Sequence, residues 1–222
     1  MDNNGYKTEI IKNKSNIKND YFAKVEVVGD LEVGKTSIIR RLIKDQFMEE
    51  YKATVGYEFN PYFIKVNNKV IKFQIWDMCG NENYRSVLFN LYRNATLGIL
   101  VYSVCSRESF NNLDNWIEQL KKYAFPDSKI LLIGNKCDDE KNRKVSYQEG
   151  KQICEKYNLE LFLEISAKNG FSSPNFLELA AISLYKYFEL HEEDLESSSL
   201  NKKDESIMLF GESEKNISNR CC

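Results

Sequence analysis

The chain has 222 residues, 42% of them hydrophobic, which is enough for one sizeable core with tails. Thirty-one basic against 33 acidic residues leave a net charge of −2, and no basic stripe interleaved with aromatics is present, which argues against a nucleic-acid partner. No apolar run reaches the roughly 18 residues of a membrane span, and residues 1–20 are polar and rich in Asn and Lys, so the expectation is a chain made and folded in the cytosol.

Taken in order, residues 1–20 read as a disordered leader. The alternation Ala23-Lys24-Val25-Glu26-Val27-Val28 reads as a strand, and residues 36–47 read as a helix. A polar and aromatic loop with Thr54 and Gly56 follows. Residues 58–66 and 70–77 alternate around Asn67-Asn68-Lys69 as a hairpin of two antiparallel strands. Residues 97–104 and 129–135 are continuous apolar runs, as expected of strands buried on both faces, and 161–165 is a shorter one. Helical patterns fill 106–123, 146–157 and 175–190. This alternation predicts an α/β fold: a six-stranded, mainly parallel sheet with one antiparallel edge strand, helices on both faces, and a ligand at the strands' carboxyl ends. From His191 the composition turns to Glu, Asp, Ser, Asn and Lys, and 191–222 carries eight acids against four bases, a tail expected to be disordered. Cys79, Cys105, Cys137 and Cys154 are dispersed without metal-type spacing and read as reduced thiols.

Between the first strand and the first helix lies Gly29-Asp30-Leu31-Glu32-Val33-Gly34-Lys35-Thr36, which fits GxxxxGK(S/T). A strand, a glycine-bounded loop and a helix N-terminus converge backbone N–H groups on an anion. Lys35 adds a point charge for the outer phosphates, and the Thr36 hydroxyl can ligate Mg²⁺. Four further short motifs follow: Thr54 in a loop, Asp77-Met78-Cys79-Gly80 ending the third strand, Asn135-Lys136-Cys137-Asp138 leaving the fifth, and Ser166-Ala167-Lys168 leaving the sixth. A carboxylate at 138 can accept from both N1–H and the exocyclic amine of guanine, a pair of donors that adenine lacks.

Five motifs in this order resemble the Ras superfamily of small GTPases over residues 21–190. Val55-Gly56-Tyr57-Glu58-Phe59, Lys72-Phe73-Gln74-Ile75-Trp76-Asp77, Tyr84-Arg85-Ser86 and Leu91-Tyr92-Arg93-Asn94-Ala95 resemble its Rab family in particular. The resemblance implies GTP and GDP as ligands. Asn135 would tether neighbouring loops, Lys136 would lie over the base, the Ala167 N–H would meet the guanine carbonyl, and Phe47 would pack on the base edge. Ser166 and Lys168 complete that base loop. It also implies Mg²⁺ held by Thr36, Thr54 and Asp77, with Thr54 and Gly80 contacting the terminal phosphate so that its loss frees both flanking loops. The final Cys221-Cys222 resembles the doubly geranylgeranylated ending of Rabs, not a C-a-a-X signal, because Asn219 stands fourth from the end. Two lipids anchor where one is marginal, and an acidic tail gets no help from anionic lipid. The implied partners are effectors, exchange factors, activating proteins and a prenyl-binding chaperone of the GDI or escort type. The implied location is the cytoplasmic face of endomembranes with a cytosolic pool.

The chain departs from that family at three places. The family's water-orienting glutamine is Asn81 here, shorter by about 1.5 Å, and misplacement near 1 Å can cost on the order of a hundredfold. Leu31 and Glu32 stand where Rabs carry a small residue and then Gly. Glu32 brings strain if positive φ is required, together with repulsion of about 3 kcal/mol per unit charge at roughly 5 Å from a phosphate. Leu31 stands where an activating protein would offer an arginine. Two readings follow: a regulated switch with slow intrinsic hydrolysis, or an effector platform that is held in GTP or indifferent to nucleotide.

Overall fold

The computed structural model describes residues 5–11, 17–49, 54, 56–78, 93–170 and 176–191. Seven strands form one sheet: β1 (Thr8–Ile10), β2 (Tyr21–Val28), β3 (Tyr57–Val66), β4 (Lys69–Met78), β5 (Leu97–Ser103), β6 (Lys129–Asn135) and β7 (Leu161–Ile165). Their spatial order is β1-β3-β4-β2-β5-β6-β7. The pairings β4-β2, β2-β5, β5-β6 and β6-β7 are parallel, whereas β1-β3 and β3-β4 are antiparallel. The helices are α1 (Lys35–Lys44), α2 (Arg107–Asn111), α3 (Leu113–Tyr123), α4 (Tyr147–Tyr157) and α5 (Phe176–Leu190).

Every residue of β5 is buried, as its unbroken apolar run requires of a strand covered on both faces. Alternate side chains feed two cores. Ala23, Val25 and Val27 of β2 pack with Ile38 and Ile39 of α1 and with Leu177, Ala181 and Leu184 of α5. Val28, Met78, Leu100 and Tyr102 pack on the other face with Trp116, Ile117 and Leu120 of α3. A capping box starts α4: Ser146 accepts from the Glu149 N–H and Glu149 reaches back to the Ser146 N–H. Arg107 and Ser146 together hold the Glu149 carboxyl down at about 2.

Three expectations are corrected. The sheet has seven strands, because Thr8–Ile10, inside the stretch read as a disordered leader, pairs with Ile64–Val66 of β3. Its Asn- and Lys-rich surroundings mask a short alternation in which Tyr6 and Ile10 pack on the core while Glu9 faces solvent. The helix read over 106–123 is broken at Asn112, whose ψ of −4° interrupts the α geometry. The first helix ends at Lys44, where Asp45 turns left-handed at φ 52°. The tail from residue 192 onward lies outside the described residues. Among the described residues, no helix is long and apolar enough to cross a membrane.

Candidate functional site

The loop between β2 and α1 is held where glycine alone fits. Gly29 has φ 138°, and a Cβ there would lie 2.1 Å from the Val101 carbonyl oxygen; at Gly34, φ 97°, it would lie 2.3 Å from Asn135 Nδ2. The loop is thereby seated on β5 and on the end of β6. The Lys35 side chain is buried, and its ammonium donates to the carbonyls of Gly29 (2.9 Å) and Asp30 (2.7 Å). Glu32 sits at φ 62°, so the conformation that favours glycine is indeed demanded of a glutamate. Leu31 and Glu32 are both exposed and line the cleft.

Just beyond, three oxygen-bearing side chains from separate elements meet. Thr36 Oγ1 donates to Asp77 Oδ2 at 2.5 Å and lies 2.8 Å from Thr54 Oγ1. The other Asp77 oxygen is buried with no hydrogen-bond partner among the described residues. Burial pushes the Asp77 carboxyl up to about 6, against the Thr36 hydrogen bond and the Lys35 charge, which pull it down. A buried carboxylate with one idle oxygen, beside two hydroxyls, is a set of hard donors that suits a small divalent cation, so the residues fit Mg²⁺.

The second half of the cleft is built at the ends of β6 and β7. Asn135 Nδ2 donates to the Val33 carbonyl (2.9 Å) while its Oδ1 accepts from the Ala167 N–H (3.1 Å), tying the loop between β2 and α1 to residues 166–168. That Ala167 N–H is therefore engaged within the protein, where the resemblance assigned it to a base. Lys136 takes φ 66°, and Asp138 follows it in the turn. Ser166 Oγ accepts from the Asn169 N–H at 2.9 Å and stays buried. A cleft of about 340 Å³ joins the halves, lined by Leu31, Glu32, Gly34, Lys35, Thr36, Phe47, Thr54, Asn135, Lys136, Asp138, Ala167 and Lys168. Gly29, Val33, Asp77 and Ser166 do not line it; the first three bond to Lys35, Asn135 and Thr36, which do, and Ser166 bonds to Asn169, which does not. Gly80, Asn81, Cys221 and Cys222 lie outside the described residues.

Sequence reasoning missed Arg41. From α1 its guanidinium donates to the carbonyls of Ala167 (3.0 Å) and Lys168 (2.8 Å), fixing the loop that follows β7. No local pattern marks it, since its partners lie 126 and 127 residues downstream. Arg40, Met48 and Met78 also line the cleft unannounced.

The family model "Ras family" matches residues 24–185. The chain is 38% identical over 171 residues to Ras-related protein Rab-11B of Dictyostelium discoideum, covering 77% of this chain and 76% of that one. It is 39% identical to Ras-related protein SEC4 of Candida albicans, covering 77% and 81%. It is 40% identical over 161 residues to human Ras-related protein Rab-3A, covering 72% and 73%.

Proposed function

Because this chain belongs to the Ras family of small GTPases, and within it to the Rab type, we propose that it is a Mg²⁺-dependent GTP/GDP switch. In this reading it acts on the cytoplasmic face of endomembranes in vesicle trafficking and is read by effectors. The observation that carries the reading is the meeting of Lys35, Thr36, Thr54 and Asp77 in one place, at one end of a cleft that Asp138 lines.

In this reading the loop N–H groups and Lys35 bind the phosphates, and Asp138 selects guanine by accepting two hydrogen bonds. Thr36, Thr54 and Asp77 would hold Mg²⁺, which when bound supplies positive charge against the phosphate oxygens. Thr54 and Gly80 sense the terminal phosphate. Hydrolysis of GTP is the family's reaction, and here it is slow: Asn81 reaches less far than glutamine toward the attacking water, and Glu32 brings negative charge to the phosphates. Exchange factors and activating proteins set the rates. Cys221 and Cys222 carry the lipids, and a prenyl-binding chaperone maintains the cytosolic pool.

Single-turnover GTP hydrolysis, with and without a cell extract as a source of activators, tests this. The switch predicts slow intrinsic hydrolysis that extract accelerates and that Asn81→Gln raises on its own. No acceleration in either case supports the alternative, an effector platform held in GTP or indifferent to nucleotide, which the comparisons do not favour.

A further inference from the structure

The phosphate loop is gripped from a side that its motif does not mention. Asp30 Oδ2 accepts from Asn112 Nδ2 at 2.7 Å, and Asp30 Oδ1 accepts from Trp116 Nε1 at 2.8 Å. The two donors stand four residues apart, Asn112 at the break that starts α3 and Trp116 one turn on. They therefore share one face of the helix and meet both oxygens of a single carboxylate. Trp116 is anchored in turn, only 3% exposed in the core beneath α3. Asn112 thus serves a long-range partner at the point where one periodic stretch divides into two helices.

The same residue touches the chemistry through its backbone. The Asp30 carbonyl accepts from the Lys35 ammonium, so the position of the phosphate-binding charge depends on where Asp30 is held. One residue further on, the loop bulges outward at exposed Leu31 and at Glu32, which is strained at φ 62°. Asp30 pins one side of that bulge, and Asn135, through the Val33 carbonyl, pins the other.

We propose that Asp30, clamped by Asn112 and Trp116, is a positioning residue through which α3 sets how long the phosphate loop retains its nucleotide. The proposal rests on the guanine-nucleotide reading above. Hydrogen bonds from Asn112 and Trp116 to an ionised carboxylate hold the loop's first half in its binding conformation. Without them the strain at Glu32 relaxes by displacing Asp30 and, with it, Lys35.

The test is release of a fluorescent GDP analogue from full-length, Mg²⁺-loaded protein, with association rate and unfolding midpoint measured alongside. Asn112→Asp sets a second carboxylate against Asp30 and is expected to speed release about tenfold, the size of one lost hydrogen bond to an ionised group. Adding Asp30→Asn to it restores retention to within about threefold, since the amide introduced at 30 donates to the carboxylate introduced at 112 while its oxygen still accepts from Trp116. Should Asn112→Asp fail to fold, Trp116→Phe keeps an aromatic ring in the core while removing the indole N–H together with part of the indole's volume; release should then quicken about threefold or more with association unchanged. The proposal is overturned if Asn112→Asp and Trp116→Phe release GDP within twofold of wild type, or if the double substitution is no slower than Asn112→Asp. It is also overturned if only the unfolding midpoint moves, which is what a merely structural contact predicts. A wild-type protein that retains no guanine nucleotide overturns the nucleotide reading and the clamp together; retained nucleotide with unchanged release overturns the clamp alone.

Discussion

Glu26 occupies the middle of β2, fully buried, opposite Trp76 of β4. Neither carboxyl oxygen has a hydrogen-bond partner among the described residues, and neither does the Trp76 indole nitrogen. The Lys24 ammonium forms a long ion pair with Glu26 Oε1 at 3.5 Å and donates at shorter range to the Arg93 carbonyl, 2.9 Å away. Burial pushes the Glu26 carboxyl up to about 8, and the nearby Lys24 charge offsets only part of this. The folded chain thus keeps a proton that the unfolded chain releases. The penalty from Glu26 should be absent below about pH 4.5 and grow as pH rises toward 8, lowering stability over that window. Glu26→Val should stabilise by roughly 3–4 kcal/mol at pH 8 and by under about 1 kcal/mol at pH 5, read as the pH dependence of the urea midpoint. Equal gains at both pH values would show that Glu26 is already ionised in the fold. Glu32 carries a different penalty, its backbone held at φ 62°. Glu32→Gly should raise the unfolding free energy by about 1 kcal/mol and also increase GTP hydrolysis, whereas Glu32→Gln should change hydrolysis alone. The positive φ was raised in advance as a condition, because the family that the chain resembles carries Gly at that position. The burial of Glu26 was not, because a charged residue in an alternating strand reads as the solvent face until a second layer is known to cover it.

At the scale of elements, β1 is the addition that composition concealed. It pairs Glu9 with Lys65 and carries Ile11 N–H to the Phe63 carbonyl at 3.0 Å. Thr8 donates to Glu178 of α5 at 2.5 Å, and Tyr6 meets Tyr185 edge to face at 5.8 Å. The strand therefore ties the free edge of β3 to the last helix, and it ends below Pro61, which offers the outer edge no donor. Deleting residues 1–11 should cost roughly 2–3 kcal/mol in denaturant unfolding, from lost Ile10 and Tyr6 packing and ladder bonds, and should free the Lys65 amide to exchange. An unchanged midpoint would mean that the pairing adds nothing. Long elements with strong periodicity were legible: the hairpin, the two buried strands and the last helix all lie within a residue or two of their expected ends. The break at Asn112 was not legible, since no Gly or Pro marks it and its side chain's partner lies 82 residues upstream.

The whole molecule brings five short motifs, spread from Gly29 to Lys168, to one end of one sheet. That convergence could be read in advance for four of the motifs, because each leaves the end of a strand and parallel strands end on the same side; Thr54 instead precedes antiparallel β3 and meets Thr36 there. The Asn135 tether to Val33 was implied by the resemblance; what could not be read were the ties of Arg41 to Ala167 and Lys168 and of Asp30 to α3. These are side-chain contacts with no sequence period, and they turn separate loops into one cleft. The claim at the centre of the account is that this cleft selects guanine through Asp138 and grips a metal-bound polyphosphate through Lys35, Thr36 and Asp77. Chromatography of the nucleotide released from purified, Mg²⁺-replete protein tests it most directly. The account predicts stoichiometric GDP or GTP, with adenine nucleotides absent and the guanine nucleotide lost in Asp138→Ala. An empty protein that takes up no GTP when offered it at millimolar concentration would contradict it.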